Sequence, residues 1–352
     1  MVRRSVFFAA ALCAVEALAG SSRLEAAGKP LHIYFIDVEG GAATLIVTPA
    51  GESFLVDPGY PGERDPGRIA QVAKEVAGLE KIDIFLSTHW HTDHLAGLER
   101  LVELIPVKRF YDRGMPEKLT QDIVASEFGP YRKITQGKSV VVKPGDEIPL
   151  RQAEGSLPVR VKVVAASGLV LGEKAGARQV RPCDKGHKAA AEDDSDNAKS
   201  VAFLLTFGDF KFFDGADLTW NVEHKLVCPE NLVGSVDVFQ VDHHGFAISN
   251  HPALLEALRP RVAIMNNGPT KGGDAEVFAR LKQVPEIEAV FQMHRNLRTK
   301  DSDNAPAEFI LSPADEKSCK GGYFRLAVDG SGKSYAVEVS SKGTKRTYKT
   351  RA

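Results

Sequence analysis

The feature that most constrains this chain is the run Ser87-Thr88-His89-Trp90-His91-Thr92-Asp93-His94, which puts three imidazoles and a carboxylate within six residues. Ile82-Asp83-Ile84-Phe85-Leu86, just before it, reads as a buried strand; after it Leu95, Leu98, Leu101 and Val102 fall at helical spacing. Ionisable groups this dense beside a core strand are not explained by packing, because a buried charge needs a partner or a metal. In an extended segment His89 and His91 share a face and can address one cation. Asp93 and His94, at the turn into the helix, can reach a second cation beside the first. Imidazole and carboxylate suit Zn2+, and also Mn2+ or Fe, so the expected cofactor is a pair of divalent ions, with zinc as the first choice.

Such a centre needs ligands from distant parts of the chain, and strand ends supply them. Asp217 closes the apolar stretch Phe212-Phe213-Asp214-Gly215-Ala216-Asp217 and is the expected bridging carboxylate, the alternative being a helix N-cap. Asp242-His243-His244-Gly245 follows the strand at 236–241, and its glycine lets the chain turn sharply. We assign His243 to the second ion and His244 to contact with the substrate or transition state. Asp93 is expected to orient the attacking water as well as to bind metal. His294, after the strand at 289–292, is a pocket candidate.

The remaining elements alternate. Strands at 31–38, 43–47 and 53–56 read as an antiparallel meander, followed by a helix at 65–76. Further strands are expected at 139–142, 158–165, 199–207, 210–214, 236–241, 261–265 and 289–292. Helices are expected from about 218, at 252–258 and at 274–281. Two more strands, 322–328 and 334–339, precede a basic, solvated tail. This order points to an α/β architecture with helices covering two packed sheets. Residues 172–197 are polar and aperiodic and read as a surface insertion. The catalytic domain is placed at 28–312, with the C-terminal strands and tail at 313–352.

Lys plus Arg number 45 against 46 Asp plus Glu, which excludes a global field for nucleic acid or anionic lipid. A charged substrate must therefore be recognised locally, and Lys271, Arg295 and Arg298 near late strand ends are the basic candidates. No basic patch interleaved with aromatics is visible, so charge gives no support to nucleic acid as a partner. Arg3 and Arg4, the apolar run from Val6 to Leu12, and Ala17-Leu18-Ala19 read as a signal peptide within 1–27, cut after about Ala19 or Ala27. The expected location is periplasmic or extracellular, with no membrane span after processing. Export permits disulfides; Cys183 with Cys228 is the expected pair, leaving Cys319 free.

Together these residues resemble the metallo-β-lactamase superfamily. The resemblance rests on Asp57 after the third strand, the run His89 to His94, Asp217 after Gly215, and His243 at a strand end, in family order over residues 31–265. It implies a four-layer αββα sandwich of two mixed sheets with two metals at the sheet edges, and a supporting role for Asp57. A nearer resemblance is to the hydrolase domain of bacterial competence DNA-uptake channel proteins, through Asp37-Val38-Glu39-Gly40-Gly41-Ala42, Asn197-Ala198-Lys199-Ser200 and His243-His244-Gly245. Ala216 stands where that group usually keeps glycine. The third histidine of the first metal, familiar from the wider family, is missing. His187 is the one histidine between His94 and Asp217, and Asn197 stands at the expected position, so either is a candidate for the first metal. The resemblance implies an exported hydrolase using a metal-activated hydroxide on phosphodiesters rather than β-lactams. An ester, lactone or amide hydrolase and a non-catalytic metal-binding protein are the alternatives.

Overall fold

The computed structural model describes residues 28–173, 193–312 and 319–351. The expected signal segment, Cys183 and His187 lie outside the described residues. Cys228 is disulfide-bonded and Cys319 is a free thiol.

The strands run β1 (Leu31–Ile36), β2 (Thr44–Val47), β3 (Ser53–Val56), β4 (Ile82–Leu86), β5 (Val107–Asp112), β6 (Val140–Val141), β7 (Glu147–Ile148), β8 (Val159–Ala166) and β9 (Leu169–Val170). They continue as β10 (Ala202–Phe207), β11 (Phe210–Asp214), β12 (Val238–Gln240), β13 (Val262–Met265), β14 (Ala289–His294), β15 (Ile310–Ser312), β16 (Tyr323–Val328), β17 (Ser334–Val339) and β18 (Thr344–Lys349). One sheet has the order β18-β17-β16-β1-β2-β3-β4-β5-β6, the other β15-β14-β13-β12-β11-β10-β8-β7, with β9 paired to β8. Both sheets are mixed: β3, β4 and β5 are parallel neighbours in the first, as are β11 to β15 in the second.

Period-two alternation makes these strands double-faced. In β1, Ile33 and Phe35 enter the core between the sheets, whereas Tyr34 and Ile36 join the cluster on the outer face. Across the inter-sheet space Phe35 meets Phe212 with ring centres 5.6 Å apart, and Phe54 meets Phe203 at 5.9 Å. Outside the first sheet lie α1 (Arg64–Gln71), α2 (Thr92–Leu95), α3 (Leu98–Leu104) and α4 (Phe128–Thr135), contributing Ile69, Leu95, Leu98, Leu101, Phe128 and Tyr131 to that cluster. Outside the second lie α5 (Trp220–Val227), α6 (Pro252–Leu258) and α7 (Ala275–Lys282), which bury Val222, Leu226, Leu254, Leu258, Val277 and Leu281. Helix, sheet, sheet, helix is the expected four-layer sandwich. Among the described residues no helix is long and apolar enough to cross a membrane.

Some elements differ from the sequence reading. The helix expected over 93–104 is two helices, broken at Ala96-Gly97. A Cβ on Gly97 would lie 2.1 Å from the Pro58 carbonyl oxygen, so the break is where the chain leaving β3 presses against the helix pair. The solvated tail contains β18, whose Tyr348 is buried and stacks on Tyr335 at 5.3 Å while its lysines face out. Alternation in an edge strand carries basic residues on one face without loss of pairing. Residues 174–192 of the polar insertion expected at 172–197 lie outside the described residues; at its end Asp196 and Asn197 are buried, because Arg113, the Trp90 backbone and His243 give them partners. Strand β5 and helix α4 have no clear apolar period and were not anticipated.

Candidate metal centre

The candidate ligands gather where strands of both sheets end. Asp57 follows β3, His89 to His94 follow β4, Asp217 follows β11, and His243 and His244 follow β12. Sequence order scatters them over nearly two hundred positions; the parallel strands bring their C-terminal ends to one place.

Two groups of side chains converge there. Asp93, His94, Asp217 and His244 form one, with one ligand atom from each within 4.8 Å of the others; His89, His91 and Asp217 form the second. Asp217 belongs to both, and its Oδ2 lies 3.3 Å from His94 Nε2, 3.4 Å from His244 Nε2 and 3.8 Å from His89 Nε2. The carboxylate therefore sits where a bridging ligand would. It is not a helix cap, since Thr219 stands at the N-cap of α5.

Hydrogen bonds decide which ring nitrogens are free. Thr88 Oγ1 donates to Asp57 Oδ2 at 2.7 Å and so accepts from His89 Nδ1 at 3.0 Å, leaving the lone pair on His89 Nε2. His91 Nε2 donates to Asp122 Oδ2 at 2.9 Å, which leaves Nδ1 facing His89 Nε2 at 3.2 Å. His94 Nδ1 donates to Asp57 Oδ2 at 2.7 Å, and its Nε2 faces His244 Nε2 at 3.1 Å. The first group thus holds the lone pairs of His89 Nε2 and His91 Nδ1 pointing at each other, and the second brings His94 Nε2 and His244 Nε2 together, each with carboxylate oxygens beside them. Such an arrangement repels itself unless a positive charge lies between, so the donor set fits divalent ions.

The electrostatics agree. Burial, followed by the charge on His94, pushes His89 well below the ordinary histidine range, keeping its ring neutral and able to donate a lone pair. Burial alone would lower His94, but Asp217, Asp93 and Asp57 outweigh it and raise it well above that range, so a proton is drawn to the place a cation would occupy. Burial would raise Asp93 and Asp217, yet His94 and the neighbouring histidines hold both carboxylates well below the usual range.

His244 rather than His243 stands with Asp93, His94 and Asp217. His244, expected at the substrate, lies 3.1 Å from Asp93 Oδ2 within the second group. His243, assigned to the second ion, points its Nε2 at Asn197 Nδ2, 3.1 Å away, and lies 3.6 Å from Asp217 Oδ2, outside both groups. Both residues have left-handed backbone, φ 52° and 53°, and their rings lie 6.1 Å apart at 63° to each other. Each such residue costs roughly 1–2 kcal/mol. Bonds from His243 N to Ala216 O at 2.8 Å, from Asn250 Nδ2 to Asp242 O at 2.9 Å and from Gly273 N to His244 O at 2.9 Å hold the turn. Gly215 is required beneath it, because a Cβ there would lie 2.3 Å from Asp242 Oδ1.

Asn197 is therefore at the site, with a buried Oδ1 that has no hydrogen-bond partner. His294 is not. Its Nε2 bonds Asp37 Oδ1 at 2.7 Å, in a separate buried group with Cys319 that ties the end of β14 to the end of β1. A strand-end position was its sole signal, and the other sheet's aspartate captured it. Of the basic candidates, Arg295 pairs with Asp301 and Arg298 with Asp274, while Lys271 Nζ contacts Asp93 Oδ2 and Tyr60 Oη. Thr88, Asp122, Tyr60 and Ser249, whose Oγ lies 3.1 Å from His243 Nδ1, carry no signal in the sequence reading except Thr88, which stands beside His89.

Residues 36–166 match the family described as the Metallo-beta-lactamase superfamily. This stretch is a metallo-beta-lactamase superfamily domain. The match takes in Asp57 and the run from His89 to His94; Asp217, His243 and His244 lie beyond it. Two curated relatives are described as metal-dependent hydrolases. That of Polynucleobacter asymbioticus is 32% identical over 42% of this chain and 50% of its own length; that of Cupriavidus metallidurans is 32% identical over 30% and 34%. The chain thus spans half or less of the curated relatives it matches. A solved metallo hydrolase of Ignicoccus hospitalis is 12% identical, covering 74% of this chain and 95% of its own, at a TM-score of 0.41.

Proposed function

We propose that this chain is a metal-dependent hydrolase with a two-ion centre. The reading is carried by the single oxygen Asp217 Oδ2, which lies within 3.8 Å of ring nitrogens from both histidine groups. In it His89, His91 and Asp217 hold one ion, with His243 and Asn197 at its open side. Asp93, His94, His244 and Asp217 hold the other. His243, brought by the left-handed turn, supplies the third imidazole that the sequence lacks between His94 and Asp217. Zinc is the proposed metal on donor chemistry.

Divalent ions held by these residues would supply a bound water of lowered pKa and polarisation of the scissile group's oxygen. The chain's own residues supply geometry. Asp57 and Thr88 fix His94 and His89 in one tautomer each, and Asp122 does the same for His91. Asp93, held by Lys271 on one oxygen, is positioned to orient the attacking water as well as to bind. Burial keeps His243 neutral, pushed down to about 4, so it stays an acceptor of hydrogen bonds throughout the working range.

The proposed substrate is a phosphodiester. Support comes from the Asn197-Ala198-Lys199-Ser200 and His243-His244-Gly245 motifs, which resemble those of the hydrolase domain of DNA-uptake channels, and from the lysine at the site. The test is metal analysis of the purified protein followed by a panel of bis-p-nitrophenyl phosphate, single-stranded DNA, a lactone and a β-lactam. About two metal equivalents, with diester turnover abolished in Asp217→Ala, is the expected result. Hydrolysis of the lactone or β-lactam alone would replace the diester reading, and fewer than two equivalents would remove the second ion.

A further inference from the structure

A cleft of about 630 Å3 opens beside the centre, lined among others by Thr92 of the histidine run, Glu39, Arg64, Tyr60, Thr270 and Lys271. Its charges are nearly all spent on one another. Arg64 pairs with Glu39 at 2.8 Å and also contacts Asp65; Glu39 pairs again with Arg68 at 2.9 Å; Glu63 pairs with Arg100 at 2.9 Å. Lys271 differs, because its carboxylate partner is Asp93, one of the proposed metal ligands. Once Asp93 gives its charge to an ion, the ammonium is left facing the cleft without a counter-charge.

Lys271 is also built in firmly. Lys271 O accepts from Gly268 N at 2.9 Å, and Asn296 Nδ2 donates to Gly272 O at 3.0 Å and Gly273 O at 2.7 Å. Gly273 N donates to His244 O at 2.9 Å, so the loop that carries the lysine is joined to the histidine turn. The Lys271 ammonium lies 5.3 Å over the Tyr60 ring and donates to Tyr60 Oη at 3.0 Å. A lysine has no acceptor, so the phenol oxygen accepts and its own O–H remains free to donate.

We propose that Lys271 and Tyr60 together anchor an anionic oxygen of the substrate, so that the site selects a negatively charged ester over a neutral one. The inference rests on the two-ion hydrolase reading. In that reading Asp93 is taken up as a ligand, and the ammonium is the positive charge left on the cleft side, where an anionic substrate oxygen relieves it. An ammonium paired with a hydroxyl donor suits a non-bridging phosphate oxygen.

The test compares metal-loaded wild type, Lys271→Met, Lys271→Arg and Tyr60→Phe on bis-p-nitrophenyl phosphate and on neutral p-nitrophenyl acetate, with metal content and inorganic phosphate binding by calorimetry measured alongside. Lys271→Met is expected to lose about tenfold more kcat/KM on the diester than on the acetate, mainly through KM, and to bind phosphate about tenfold more weakly. Lys271→Arg should keep most of the preference, and Tyr60→Phe should lose part of it. Equal losses on both substrates, unchanged phosphate affinity, or loss of metal in Lys271→Met would each overturn the anchor. If wild type turns over neither substrate the hydrolase reading fails, and phosphate binding alone then decides the anchor.

Discussion

Asp57 Oδ2 lies 2.7 Å from His94 Nδ1, and both residues are buried. The same carboxylate accepts from Thr88 N at 2.8 Å and from Thr88 Oγ1 at 2.7 Å, so one side chain orders the rings of two candidate ligands, one directly and one through a threonine. Asp57 itself has left-handed backbone, φ 57°, at the point where β3 gives way to the segment pressed against Gly97. Replacing it with Asn keeps the volume but offers one acceptor where several donors converge. Asp57→Asn is expected to weaken the ion held by His94 by about 10–100-fold, read by chelator competition with circular dichroism as a control. Unchanged metal affinity would remove its orienting role.

Asp122 does for the first group what Asp57 does for the second, from a loop that no local pattern connects to the site. Burial opposes its ionisation, but the hydrogen bonds from the Asp196 backbone N–H and from His91, both 2.9 Å, with Thr120 close by, hold it down to about 2, so it remains charged at any working pH. In the proposed two-ion centre Asp122→Ala should loosen the ion beside His91 by about tenfold while leaving the other in place. Titration with a chelator would then show one weak and one tight equivalent; a parallel loss of both would contradict separate control.

The buried acid Asp214 gives a pH signature. Burial raises it to about 7, its Oδ1 accepts from Ala216 N at 2.9 Å, and its Oδ2 has no hydrogen-bond partner. A folded-state pKa above the ordinary value of 3.8 means the folded protein binds the extra proton, so this contribution to stability is complete below pH 4 and lost as pH rises through 7. Asp214→Asn imitates the protonated form. Between pH 5 and pH 8 denaturant titrations of the metal-free variant should show about 1–3 kcal/mol less loss of stability than wild type. Identical slopes would contradict the buried, protonated state.

Gly97 tests the packing that brings Asp57 to His94. A methyl group there meets the Pro58 carbonyl at 2.1 Å, a backbone atom that no rotamer change can move aside. Gly97→Ala is expected to cost about 1–3 kcal/mol and to lower the thermal midpoint, with weaker metal binding as the displaced segment carries Asp57 away. A midpoint equal to that of wild type would show that the chain yields at no cost.

Much of this molecule was legible in one dimension because its signals are local. The run from His89 to His94 declares a metal loop by density alone, and the two-faced apolar strands with amphipathic helices between them declare the layers. Asp217 and the His243-His244 pair could be named as partners because each stands at the end of an apolar strand. The sequence could not say which of His243 and His244 faces which ion, since that depends on two left-handed residues held by Ala216, Asn250 and Gly273. Nor could it separate His294 from the site, because the rule that selected it was position at a strand end, and only the packing of the two sheets brings Asp37 to it first. Asp122, Tyr60 and Lys271 meet the histidine run across long stretches of chain. Pattern along the sequence fixes what each segment buries; which side chains meet across segments is set by the sheet order and by turns whose geometry comes from distant hydrogen bonds.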